Sequence, residues 1–150
     1  ISGLIIDCWE NEPEIDLELL EKADFGTAHI AGYSRDGKAI GTMMSIRAVS
    51  RFFKLGIDDW QPTEVELPKQ TLIQLDGHKK DEESVLAEAV LATYDILADD
   101  KRLRAAAPGS FERLRGEYPV RREFHNYRIE ARNVHKSTVS ALKRMGFQLP

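Results

Sequence analysis

Two side chains suited to acid–base chemistry, Glu12 and His29, stand 17 positions apart, with Asp7 shortly before them. Asp7 ends the apolar run Leu4-Ile5-Ile6, and His29 ends the stretch Asp24-Phe25-Gly26-Thr27-Ala28. Removing a hydride from a secondary alcohol requires a group that accepts the hydroxyl proton, and histidine does this near neutral pH. A carboxylate on the other ring nitrogen sets the tautomer and stabilises the imidazolium that forms. The plainer alternative is a satisfied strand-end histidine beside a loop that begins at Glu12-Pro13. Spacing alone leaves both open.

The elements that would position these groups are short. Leu4-Ile5-Ile6 reads as a strand buried on both faces. Asp16 is placed to cap a helix through Leu17, Leu19 and Leu20 to Lys22, and residues 24–28 read as a second strand. Strand, helix, strand in under 30 residues is part of an α/β sheet, where ligands bind beyond the carboxyl ends of the strands. Asp7 and His29 occupy such ends. Two parallel strands bury too little surface to be stable by themselves, so neighbouring strands are expected from elsewhere. A helix is expected from Lys38 to about Phe53, with Ile40, Met43, Met44, Ala48, Phe52 and Phe53 as its apolar stripe, stopped at Gly56. Residues 57–69 contain Pro62 and Pro68 and read as a linker between residues 1–56 and 70–150.

Residues 70–150 read as a small α+β unit. Thr71 to Leu75 alternates as a strand that turns at Gly77. A helix opens on Asp81, Glu82 and Glu83 and runs through Val85, Leu86, Ala89, Val90, Ala92, Thr93, Ile96 and Leu97. Its apolar residues fill two adjacent stripes, more than one core face needs, which suggests burial from two sides and association of subunits. Ser110 is placed to cap a short helix holding Phe111 and Leu114. Tyr127, Ile129 and Ala131 form a second strand, and a last helix with Val139 and Leu142 closes at Gly146.

Bulk properties exclude several classes. With 42% hydrophobic and 31% charged residues the chain is globular rather than disordered. No apolar run approaches the roughly 20 residues of a membrane span. The first residues carry no basic region followed by an apolar core, and the single cysteine, Cys8, reads as a small buried side chain. A cytoplasmic protein is therefore expected. Residues 1–30 hold eight Asp/Glu against one Lys, whereas residues 101–128 hold eight Lys/Arg against three Glu. The basic segment suits a subunit contact or a phosphorylated ligand; a net charge of −4 and no matching motif argue against nucleic acid. Arg121 and Arg122 fit either a phosphate or salt bridges at a surface or interface. His78, His125 and His135 share no metal-ligand spacing with each other or with Cys8, so no metal site is expected.

The residue strings add what spacing leaves open. Asp7-Cys8-Trp9-Glu10-Asn11-Glu12-Pro13, followed by His29, resembles the D-V-x-x-x-E-P motif and later catalytic histidine of the D-isomer-specific 2-hydroxyacid dehydrogenases. His29-Ile30-Ala31-Gly32-Tyr33 and Gly37-Lys38-Ala39-Ile40-Gly41-Thr42 are most similar to the erythronate-4-phosphate dehydrogenase family within it. So are Phe111-Glu112-Arg113-Leu114-Arg115, Arg121-Arg122-Glu123 and Leu142-Lys143-Arg144-Met145-Gly146-Phe147, which match that family's dimerisation domain. The resemblance implies the C-terminal part of a Rossmann-type NAD-binding domain followed by a small α+β dimerisation domain, in a homodimer. It implies His29 as acid/base, Glu12 as its orienting partner, Asp7 and Gly32 at the NAD site, and Tyr33 toward a phosphorylated 2-hydroxy acid. Ala28 stands where the family has proline, which implies a less rigid loop. The family's catalytic arginine and its G-x-G-x-x-G loop lie upstream of Ile1 in the family pattern. These 150 residues alone are therefore expected neither to hold NAD tightly nor to turn over substrate. A non-catalytic dimerisation module and a phosphoglycerate dehydrogenase with a regulatory tail are the alternatives. The latter needs about four strands after residue 69, where two are read.

Overall fold

The computed structural model describes residues 2–107 and 109–150. The chain forms two compact units, each of two segments: residues 1–32 with 94–119, and residues 33–93 with 120–150. It is a mixed α/β structure.

In the first unit, β1 (Ile5–Ile6) and β2 (Phe25–Gly26) pair in parallel, Ile5 opposite Phe25 and Ile6 opposite Gly26. Between them runs α1 (Leu17–Lys22), capped as the spacing predicts: Asp16 Oδ1 accepts from the amides of Glu18 at 2.8 Å and Leu19 at 3.2 Å. This satisfies two of the helix's otherwise unpaired donors. Helix α4 (Ile96–Ala106) packs on β2, and α5 (Phe111–Gly116) packs on α4. Leu20, Ala28, Ile30, Leu103 and Phe111 are buried. Two expectations need correction. Ile5 is 66% exposed, so β1 is not buried on both faces; a two-residue strand with one partner among the described residues has too few neighbours to be covered. Ser110 makes no side-chain cap, because its backbone (φ −132°, ψ 17°) leaves the extended conformation that aims a cap at the helix.

In the second unit, α2 (Arg35–Phe53) starts three residues before Lys38, because Ser34 Oγ accepts from the Gly37 amide at 2.9 Å. Ile40, Met44, Phe52 and Phe53 of its apolar stripe are exposed, and residues 57–69 carry neither helix nor strand. β3 (Leu72–Asp76) and β4 (Arg128–Arg132) pair in parallel, Leu72 opposite Arg128. Helix α3 (Glu82–Thr93) packs on β3 and on α6 (Lys136–Met145). Ile73, Leu75, Val85, Ala89, Tyr127, Ile129, Leu142 and Phe147 form the core. Gly146, at φ 104°, ends α6 as expected, in a conformation that costs other residues energy.

The single helix expected from Asp81 to Leu97 is two helices. Thr93 Oγ1 donates back to the Val90 carbonyl at 2.8 Å, and Asp95 Oδ1 accepts from the Ala98 amide at 3.0 Å. An aspartate that competes for backbone donors favours a cap over a helix interior, so the helix ends and another begins. Among the described residues no helix is long and apolar enough to cross a membrane.

Candidate active site

The site is built outward from Trp9. Its ring is buried in the loop leaving β1, and Nε1 donates to the Thr27 carbonyl at 2.8 Å. A side chain at position 26 would place its Cβ 3.0 Å from Trp9 Cζ2 and 2.7 Å from Leu20 Cδ1, which is why β2 carries glycine there. The Trp9 amide donates to Glu12 Oε1 at 2.8 Å. Glu12 Oε2 is thereby left to face His29, whose Nδ1 lies 2.9 Å away. The sequence-predicted pair is in hydrogen-bond contact.

Asp7 secures the other side of the histidine. Its backbone carbonyl accepts from the His29 amide at 2.8 Å. Its Oδ1 accepts from Thr27 Oγ1 at 2.6 Å and the Ile30 amide at 2.8 Å, and Oδ2 accepts from the Ala31 amide at 3.1 Å. His29 has a φ of 52°, the left-handed region that non-glycine residues seldom adopt. These bonds around it hold the backbone there.

Burial pushes the Glu12 carboxyl up, but the Trp9 amide, the His29 ring and the positive charge of Arg115 together outweigh it. They hold the carboxyl below its ordinary value. Glu12 is thus ionised at neutral pH and accepts a hydrogen bond from Nδ1–H, which leaves Nε2 as the nitrogen that can exchange a proton with a ligand. The His29 side chain is 47% exposed and Glu12 only 20%, so the imidazole is reachable while the carboxylate is shielded.

The remaining candidates are distributed as follows. Gly32 is exposed, and a Cβ there would meet nothing within 4 Å. Tyr33 opens the second unit, with the Lys38 ammonium 3.8 Å from its ring centroid. Cys8 is exposed, which corrects the expected burial: Trp9, its neighbour, takes the inward position. Arg122 is buried. Its Nε and Nη2 bond Asp36 at 2.9 and 2.8 Å, and Nη1 bonds the carbonyls of Val65 and Glu66 at 3.1 and 3.0 Å. Burial pushes the Asp36 carboxyl up, but Arg122 and the Glu123 amide bring it down to about 2. Arg122 does form a salt bridge, but one buried inside the second unit rather than at a surface or interface as expected. The Arg121 carbonyl accepts from the Arg35 amide at 2.8 Å.

Sequence reasoning gave no role to Trp9 or Thr27, which seat the two carboxylates. An aromatic residue inside an acidic loop is a signal for the first; nothing local marks the second.

Residues 66–146 match a family described as Domain of unknown function (DUF3410), over more than half of the chain, and the chain belongs to that family. Curated relatives carry a more specific name. The chain is 49% identical over 129 residues to an erythronate-4-phosphate dehydrogenase of Bacteroides fragilis, covering 86% of this chain and 34% of the relative. It is 40% identical over 151 residues to the enzyme of that name from Serratia proteamaculans, and 36% identical over 147 residues to that of Escherichia coli K12. These cover 95% and 97% of this chain, and 38% of each relative. The chain thus spans about a third of the length of the relatives it matches. The resemblance carried by its motifs is borne out.

Proposed function

We propose that this chain is the C-terminal part of an NAD-dependent dehydrogenase that oxidises the 2-hydroxy group of 4-phosphoerythronate. The 2.9 Å contact between His29 Nδ1 and Glu12 Oε2, at the carboxyl ends of β1 and β2, carries the reading. In this reaction the C2–O–H proton passes to His29 Nε2 as the C2–H hydride leaves, and the product is the 2-oxo acid with its phosphate intact. Glu12 stabilises the imidazolium and keeps the ring oriented. NAD, when bound, supplies the hydride acceptor.

The residues present fit the nicotinamide end of that cofactor. The Asp7 carboxylate accepts hydrogen bonds from Thr27, Ile30 and Ala31, and such an acceptor at a strand end suits a carboxamide N–H. The open space at Gly32 admits a ring. No G-x-G-x-x-G loop for the pyrophosphate occurs in these 150 residues. The isolated 150-residue polypeptide is therefore expected to oxidise no NADH with any 2-oxo acid, and appreciable turnover by it would contradict this part of the reading.

In the proposed organisation, residues 1–56 end the cofactor domain, 57–69 link, 70–150 form the dimerisation domain, and Tyr33 approaches the substrate. Support for a homodimer comes from α3, whose outward surface at Leu86, Ala87, Val90 and Leu91 is an open apolar groove. The deciding experiment is steady-state kinetics on the complete enzyme. His29→Gln should lower kcat by about 10²–10⁴-fold; unchanged turnover would refute the assignment.

A further inference from the structure

Histidine 29 lies at the end of a strand whose outer edge is held by a helix almost 70 residues downstream in sequence. β2 has β1 on one side, and a parallel two-residue strand cannot satisfy its other edge by itself. Asp100 of α4 fills that place: Oδ1 accepts from the Gly26 amide at 2.8 Å. Asp100 is itself held by Arg104, whose Nε reaches both carboxylate oxygens at 3.0 and 2.9 Å. The two terminal nitrogens of Arg104 then donate to the carbonyls of Leu20 and Ala23, each at 2.8 Å, where α1 ends and turns into β2. One turn of α4 therefore grips both the entry to the strand and its free edge. Further along, Ala28 and Ile30, on either side of His29, line a small crevice with Asp99, Arg102, Leu114 and Tyr118. Tyr118 donates to buried Asp99 at 2.8 Å.

We infer that Asp100 and Arg104 are positioning residues for the reaction, acting through β2 to seat His29 on Glu12. The inference rests on the dehydrogenase reading of His29 and Glu12. It gives α4, which lies within the region matched by the family of unknown function, a part in catalysis beyond any role in pairing subunits. The Gly26 amide is three residues from His29, and a shift of about 1 Å in a catalytic group can cost about 100-fold in rate. Both side chains are engaged with the backbone of Leu20, Ala23 and Gly26 and with each other, so substrate and cofactor binding should change little.

The test is a double-mutant cycle on the complete enzyme, with turnover normalised to folded protein. Asp100→Ala should lower kcat about tenfold or more, with KM within about twofold. Asp100→Asn, which keeps an oxygen acceptor for the Gly26 amide, should recover most of the loss. In a Glu12→Ala background, where the seat is removed, Asp100→Ala should cost less than about twofold, because the two act on one contact. Arg104→Gln should show the same coupling and serves if Asp100→Ala does not fold. Equal losses in both backgrounds, or no loss from either substitution, would overturn the inference while leaving His29 and Glu12 intact as a pair. If His29→Gln and Glu12→Gln themselves leave kcat unchanged, the dehydrogenase reading fails and takes this inference with it.

Discussion

The two oxygens of Glu12 have different partners: Oε1 takes the Trp9 amide and Oε2 takes the His29 ring, which suits Glu12 to the orienting role proposed for it. The hydrogen bond from the Trp9 amide fixes the carboxylate, so the ring meets an oriented acceptor. Glu12→Gln keeps the shape and removes the charge that stabilises the imidazolium. It should lower kcat by about 10- to 100-fold in the complete enzyme with little change in KM, measured by initial rates. Arg122 and Asp36 present a different kind of pair, buried and remote in chemistry. Removing the cation by Arg122→Ala strands a carboxylate that is 8% exposed and should cost about 3–5 kcal/mol in a denaturant titration. The same pair sets an acid limit. Asp36 is held at about 2 against an ordinary 3.8, so between those values the unfolded state binds more protons than the native one. Stability on the order of 2 kcal/mol is present above about pH 4 and is lost as pH falls toward 2, a loss that Asp36→Asn should flatten in thermal melts.

The elements that carry the site are short, and side chain against backbone helps to hold them. Where that chemistry is local, it was legible in the sequence: Asp16 caps α1, Gly146 closes α6, and Tyr127-Ile129-Ala131 alternates into β4. Glu12 and His29 were legible for the same reason, as groups at the ends of short apolar strands. The break at Asp95 was not, because apolar residues run on through Ile96 and Leu97 and mask a cap that acts by one hydrogen bond. Nor was the packing of α4 on β2. The bond from Arg104 to Leu20 spans 84 positions, and no periodicity records so distant a contact. Close approach also decides single positions. A Cβ on Gly77 would lie 2.5 Å from the Asn133 carbonyl oxygen, which is backbone in the turn beyond β4 and cannot swing away. Gly77→Ala should destabilise the second unit by about 1–3 kcal/mol by chemical denaturation, and a neutral result would mean the turn is looser than this geometry.

For the molecule as a whole, the sequence family and the site point the same way, although the chain covers only about a third of its curated relatives. The apolar groove on α3 belongs to the proposed subunit contact, so Leu91→Asp should convert a dimer to monomer in sedimentation analysis while leaving secondary structure unchanged. The most direct measurement of catalysis is a single-turnover experiment in which the complete enzyme, loaded with NAD, is mixed with 4-phosphoerythronate while nicotinamide absorbance is followed. The parent enzyme should produce reduced nicotinamide, and His29→Gln should do so at a rate at least about 100-fold lower. No reduction by the parent, or the same rate without His29, would contradict the dehydrogenase reading.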